Sequence, residues 1–181
     1  MTWRRTLAVL ALGFAAFATI AHAQRGPAPE LPAPAQGRGS VKASLRAGLQ
    51  ATFRYRIPES KTVPRIYPEA PDFQMMPAVL ATGYLVALAE WACIELIKPH
   101  LDWPGEQSLG THVDLSHTAA TPPGLTVEIR TRLEAVEGRK LTFSISAHDG
   151  VDAISSGTHE RHVIDAARFG QKVAAKAVAT A

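Results

Sequence analysis

The sequence predicts an α+β domain in which an antiparallel sheet wraps around one long central helix. Five stretches alternate between apolar and polar residues, the pattern of strands buried on one face. The run 78–97 contains no proline and is apolar almost all round, as in a helix that is buried on most sides. Short turn-forming segments separate the last four strands, and connections this short force neighbouring strands to lie antiparallel.

The first forty residues are predicted to lie outside this domain. Residues 1–23 have the pattern of an export signal, with Arg4 and Arg5 before an apolar run and a small–x–small cleavage site at its end. The apolar run is shorter than the roughly 20 residues that span a bilayer, so we expect no stable membrane span. Residues 24–40 carry four prolines and three glycines, a composition typical of an extended linker.

These observations divide the chain into four parts. We expect a cleaved signal peptide (1–23), a linker (24–40), one folded domain (41–175) and a short tail (176–181). An export signal predicts a periplasmic protein. The alternative is a cytoplasmic protein whose start site is misassigned.

Composition excludes some classes of partner and site. The formal charge is +3, and it falls to +1 once the two arginines of the signal are removed. A charge this low, without a dense basic stripe, argues against nucleic-acid binding. A single cysteine, Cys93, excludes an intramolecular disulfide and any cysteine-based zinc site, and it is expected to be a core residue.

The predicted elements follow one another in a simple order. Residues 52–57 alternate strictly and predict the first strand. Five prolines then make residues 58–77 a long loop, with one short helical turn near Phe73, and loops of this length are often lids or binding loops. The central helix comes next and ends before Pro99. Four further strands are predicted at 109–117, 125–133, 141–147 and 154–164.

Two polar residues occupy positions where apolar ones are expected. Glu90 lies in the middle of the buried helix, where a carboxylate is costly unless it is paired; alternatively it lies on a solvent-exposed stripe of that helix. His117 shares the strand parity of Val113 and Leu115, so its side chain is predicted to point to the core side. A lone core histidine is usually structural, but a carboxylate near an imidazole is a recurrent acid–base pair.

The position of Thr82 raises a question of distance. In one continuous helix, Thr82 and Glu90 are separated by about 12 Å, which excludes direct contact within one chain. If both serve one site, either Thr82 precedes the helix or the site joins two subunits. His159 and His162 could suggest a metal site, but this spacing on a strand sends them to opposite faces.

Several segments together resemble the bacterial fluoroacetyl-CoA thioesterase family, over about residues 45–173. Matching runs in the same order make this resemblance more specific than any single short motif. The segments are Lys61-Thr62-Val63, Tyr67-Pro68-Glu69, Ala81-Thr82-Gly83-Tyr84, Glu90-Trp91-Ala92-Cys93, Gly105-Glu106, Ser108-Leu109-Gly110-Thr111, His117–Gly124, Ser146–Asp152 and Gly157–Arg161.

The resemblance implies a hotdog fold, a homodimer, and hydrolysis of a short acyl-CoA thioester without metal or cofactor. The family's catalytic threonine, glutamate and histidine fall on Thr82, Glu90 and His117. Its glycine and arginine that contact the acyl and CoA portions fall on Gly110 and Arg161.

One position departs from the family. Members specific for fluoroacetyl-CoA carry two lid phenylalanines that shield the acyl group, and here the first is Phe73 but the second is Met76. A flexible thioether chain is expected to relax selectivity for so small a group.

Two other functions stay open from the sequence. One is a hotdog module that binds an acyl thioester or a CoA-like ligand without turning it over; the predicted export signal supports it, because CoA thioesters are cytoplasmic. The other is a hydratase of enoyl thioesters, which needs a differently placed histidine–acid pair.

Overall fold

A computed structural model describes residues 41–179, and the predicted signal peptide and linker lie outside the described residues. Five strands and three helices follow in chain order, with short 3₁₀ turns between β1 and α1 and after α2. Their bounds are β1 Gln50–Arg56, α1 Pro71–Gln74, α2 Thr82–Ile97, β2 Glu106–Leu115, β3 Thr126–Glu137, β4 Lys140–His148, β5 Ala153–Asp165 and α3 Ala166–Val178.

The strands form one antiparallel sheet in the order β1-β3-β4-β5-β2. Helix α2 packs against one face of this sheet, and its apolar residues form the core together with the inward side chains of β3, β4 and β5. The predicted fold class, an antiparallel sheet with one long helix packed on it, is therefore confirmed. Strands β1 and β2 are the two edges.

Helix α2 begins four residues later than predicted. The chain before it is extended because its backbone is bonded elsewhere: the Leu80 N–H donates to the Thr121 carbonyl at 2.8 Å, and the Ala81 N–H donates to the Lys61 carbonyl at 3.1 Å. The sequence predicted a helix that is buried on most sides, and seven residues of α2 are buried in the structure. One side of α2 is open to solvent, and Trp91 on it is 45% exposed.

Strand β2 differs most from its prediction. It ends at Leu115, so His117 lies two residues beyond the strand instead of on it. A β-bulge between Gly110 and His112 changes which side chains face the helix. Buried Ser108 and the core-packed Leu115 therefore share a face although they are seven residues apart, and strict alternation does not allow this.

The C-terminal helix α3 was not predicted from the sequence. Asp165 caps its first turn by accepting a hydrogen bond from the Arg168 N–H at 2.9 Å. The helix buries none of its residues and continues to Val178, past the expected domain boundary at residue 175. None of the helices between residues 41 and 179 is long and apolar enough to cross a membrane.

Candidate active site

Most of the predicted site residues form two groups, one at the start of helix α2 and the other beside its middle. At the start, the Thr82 hydroxyl and the His117 Nδ1 are 2.9 Å apart. The loop that carries His117 is held close to the helix by the bond from Leu80 to Thr121. The Thr121 hydroxyl in turn donates to the buried Asp149 carboxylate at 2.9 Å.

His117 is half-buried, and its surroundings favour the neutral imidazole. Burial lowers the pKa of His117, and a backbone hydrogen bond with Ala119 opposes this only in part. Its Nε2 is buried and has no hydrogen-bond partner among the described residues. A neutral ring beside a hydroxyl can accept or donate a proton at physiological pH.

The second group forms where the middle of α2 crosses β2. A Cβ built on Gly110 would overlap the Glu90 Oε1 and would lie 3.0 Å from the His159 Cε1. The carboxylate of Glu90 can therefore lie against the β2 backbone only because residue 110 has no side chain. Glu90 remains 39% exposed, so it is neither fully buried nor free in solvent.

Arg161 on β5 is the most deeply buried charged residue of this group, with 2% of its side chain exposed. Its Nε donates to the Ser108 hydroxyl at 2.9 Å and its Nη2 donates to the Ser108 carbonyl at 2.8 Å. Its Nη1 lies 3.8 Å from the Glu90 Oε1. Burial lowers the pKa of Arg161 and the charge of Glu90 opposes that shift, so Glu90 stabilises the buried cation.

His159 belongs to the same group, although the sequence suggested it only as a possible metal ligand. Its side chain is 1% exposed, and its Nε2 lies 3.0 Å from the Arg161 Nη1 and 3.7 Å from the Glu90 Oε1. The signal that could have found it is strand parity, since His159, Arg161 and Val163 alternate along β5 and are all buried.

The single cysteine lies next to this group. Cys93 is completely buried, and burial raises the pKa of its thiol to about 12. A thiol with so high a pKa stays protonated and unreactive. Cys93 is therefore a core residue, as the sequence predicted.

The two residues that the resemblance assigns to a lid lie in and just after α1, in the segment that precedes α2. Phe73 in α1 is half-buried and packs on Tyr67 with ring centroids 5.9 Å apart. Met76 follows α1 and is 49% exposed. A side chain with this much exposure is available to contact a bound ligand.

The structure does not bring Glu90 and His117 together in one chain. Both Thr82 and Glu90 belong to α2, so eight residues of helix separate them by about 12 Å along its axis. Thr82 contacts His117, whereas Glu90 contacts Gly110 and lies near Arg161. No group of three or more potential metal-ligating side chains occurs in the described part of the chain.

A five-stranded antiparallel sheet packed on one long helix defines a hotdog-fold protein. A hot-dog-like protein from Thermanaerovibrio acidaminovorans shares this fold at 18% identity, with a TM-score of 0.61 over 72% of this chain and 91% of that one.

A sequence profile described as FlK, fluoroacetyl-CoA-specific thioesterase, matches residues 68–167. The fluoroacetyl-CoA thioesterase of Streptantibioticus cattleyicolor is 52% identical over 136 residues, 75% of this chain and 97% of that protein. A solved structure of a threonine-to-alanine variant of the thioesterase FlK with fluoroacetate superposes with a TM-score of 0.71 at 52% identity, over 73% of this chain and 98% of that one. The chain belongs to the fluoroacetyl-CoA-specific thioesterase family.

Proposed function

We propose that this protein is a thioester hydrolase that converts short-chain acyl-CoA to the free acid and CoA. The observation that carries the proposal is the Glu90 carboxylate, held against the Gly110 backbone beside a buried guanidinium in a chain of this family. A carboxylate in this position is suited to attack a carbonyl or to activate water, and a neighbouring backbone N–H or cation can stabilise the oxyanion that develops. Relatives that are thioesterases favour turnover over a module that only binds.

The proposed reaction adds one water across the thioester. Glu90 activates a water that attacks the carbonyl carbon, or attacks it directly to form an anhydride with the acyl group, and the oxyanion is stabilised by the Gly110 amide. In the direct route, water hydrolyses the anhydride after CoA has left, which releases the acid and regenerates the Glu90 carboxylate. The carbon–sulfur bond then breaks, CoA leaves as the thiolate, and His117 transfers the proton that the thiolate takes up. Thr82, bonded to His117, orients the reacting carboxylate.

We propose further that each active site takes Thr82 and His117 from one protomer and Glu90, Gly110 and Arg161 from the other. The distance of about 12 Å along α2 supports this division, because no single chain can bring Thr82 to Glu90. Thr82 is the first residue of the helix and does not precede it, which supports the alternative that the site joins two subunits.

Strand β2 is suited to form the dimer interface. It is an edge strand of ten residues, and two of its apolar side chains, Leu109 and Val113, are 37% and 40% exposed. An exposed apolar edge is a template for pairing with another strand. Two β2 strands paired about a two-fold axis would run antiparallel to each other. His117, two residues beyond the end of β2, would then lie nearer to Gly110 of the partner subunit.

Replacing Glu90 tests the hydrolase directly. We expect Glu90→Gln to lower kcat for acetyl-CoA by at least about 100-fold, because the neutral amide can neither attack nor activate water. The measurement is steady-state release of free CoA thiol. Glu95→Gln, one turn further along the same helix, is the control and keeps the wild-type rate. Full activity of the Glu90 variant would show that the assignment is wrong, and a wild type that binds CoA without releasing thiol would favour the binding module.

Complementation between two inactive variants tests the shared site. If the site joins two protomers, unfolding and refolding an equal mixture of Thr82→Ala and Glu90→Gln chains creates mixed dimers with one intact site. We expect about a quarter of the wild-type activity, since half of the dimers are mixed and half of their sites are intact. A site contained in one chain gives no recovery. Each variant refolded alone is the control.

Met76 is proposed to set the substrate preference. A flexible side chain where a second aromatic ring shields the acyl group would discriminate weakly between fluoroacetyl-CoA and acetyl-CoA. We expect Met76→Phe to raise the ratio of kcat/KM for these two substrates, on the order of tenfold. Met75→Phe, whose position is 84% exposed, is the matched control and leaves the ratio unchanged. Equal ratios in the wild type and in the Met76 variant would show that Met76 does not contribute to the substrate preference.

We also propose that residues 1–23 direct export of the protein. The basic pair, the apolar run and the Ala21-His22-Ala23 site support this, and the match to the curated relative covers only 75% of this chain. N-terminal sequencing of the protein purified from its own cell envelope is expected to begin at Gln24. A native protein that begins upstream of Gln24, or that fractionates with the cytoplasm, would contradict export.

A further inference from the structure

His159 is a buried titratable group that the proposed mechanism does not use. We propose that His159 is a positioning residue for Arg161. Its imidazole is neutral with the proton on Nδ1, so its Nε2 accepts a hydrogen bond from Arg161 and holds the guanidinium beside Glu90. This inference rests on the proposed function of the site.

The tautomer of His159 follows from its two partners. The Nδ1 lies 2.7 Å from the carbonyl oxygen of His112. A carbonyl has no hydrogen to give, so the Nδ1 must be the donor. In the neutral ring the Nε2 is then an acceptor, and it lies 3.0 Å from the Nη1 of Arg161, which can only donate. The β2 backbone therefore determines which nitrogen of His159 faces the site.

This arrangement gives the Arg161 guanidinium an anchor on each of its three nitrogens. Ser108 accepts from Nε and Nη2, and His159 accepts from Nη1. Without His159, Nη1 keeps only the Glu90 oxygen at 3.8 Å, which is too far for a hydrogen bond. The guanidinium could then rotate toward Glu90, and a shift of about 1 Å near reacting atoms can lower a rate about 100-fold.

Burial and the neighbouring groups together oppose the protonation of His159. Arg161 lies beside it on β5, Glu90 faces it from α2, and His112 lies on β2, while its neighbour on β4 is the apolar Phe143. Burial lowers the pKa of His159, and the hydrogen bond to the His112 carbonyl opposes this only in part. Arg161 lowers the pKa further, and Glu90 only partly offsets the effect of Arg161. A proton on Nε2 would remove the acceptor and place a second cation against Arg161.

The sign of the pH effect follows from this lowered pKa. The folded state takes up a proton at His159 less readily than the unfolded chain, whose histidine pKa is about 6.5. The contribution of neutral His159 to the free energy of unfolding is complete above pH about 6.5. This contribution is lost as the pH falls through the lower pKa that His159 has in the folded state. Activity that depends on the Arg161 anchor should fall over the same range.

Two replacements separate the hydrogen bond from the ring. His159→Gln keeps an acceptor for Arg161, whereas His159→Phe keeps the ring volume without one. We expect the Phe variant to lose at least tenfold in kcat/KM for acetyl-CoA and the Gln variant to stay within about threefold of wild type. The acid limb of the Gln profile should also move to lower pH, because no imidazole is left to protonate. His162→Phe, on the same strand but pointing away, is the control with unchanged kinetics.

Nitrogen-15 NMR of the folded wild-type protein at pH 7.5 reads the tautomer without any assay of turnover. We expect a protonated Nδ1 and an unprotonated Nε2 for His159, assigned by comparison with the Gln variant. A protonated Nε2, equal kcat/KM for the Phe and Gln variants, or an unmoved acid limb would each overturn the inference. A wild type that shows the expected tautomer but releases no CoA would overturn the proposed function alone.

Discussion

The unbroken course of helix α2 sets the geometry on which the site depends. From Thr82 to Ile97 the helix continues without a kink residue, so the spacing of its polar side chains is set by the rise of 1.5 Å per residue. One end of the helix holds Thr82 against His117, and its middle holds Glu90 against Gly110. The two groups therefore cannot approach each other by local adjustment. This separation is the reason for our proposal that a second protomer completes the site.

The buried guanidinium of Arg161 is the other constraint. A charge with 2% of its side chain exposed must be paired and hydrogen-bonded, and Ser108, His159 and Glu90 together satisfy this requirement. These partners come from β2, β5 and α2. The need to pair the buried guanidinium thus holds these three elements together next to the Glu90 carboxylate.

Much of this could be predicted from the sequence. The sheet, its direction and the central helix followed from hydrophobic periodicity and short turns, because these patterns act locally along the chain. Glu90 could be identified as a charged residue in the middle of an apolar helix, whereas Thr82, Gly110 and Arg161 were named only through the family resemblance. His117 was named as a site candidate from its parity, but it was assigned to a strand that ends before it. The alternating pattern continues past Leu115 because the chain still bonds to β5 there, with the Ser116 and Thr118 N–H groups donating to the Ser156 and Ile154 carbonyls at 2.9 Å. His159 was missed as a site residue because its partners are 47 and 69 residues away in the chain, so only the folded register brings them together.

The state of Cys93 has a practical consequence. Its thiol is sealed in the core with a pKa near 12, so a disulfide reagent that reacts with thiolates will not titrate it while the domain is folded. Free sulfhydryl detected with native protein therefore originates from the coenzyme. Once denaturant opens the core, the same side chain becomes an intrinsic reporter, and its labelling rate measures how often the interior is exposed.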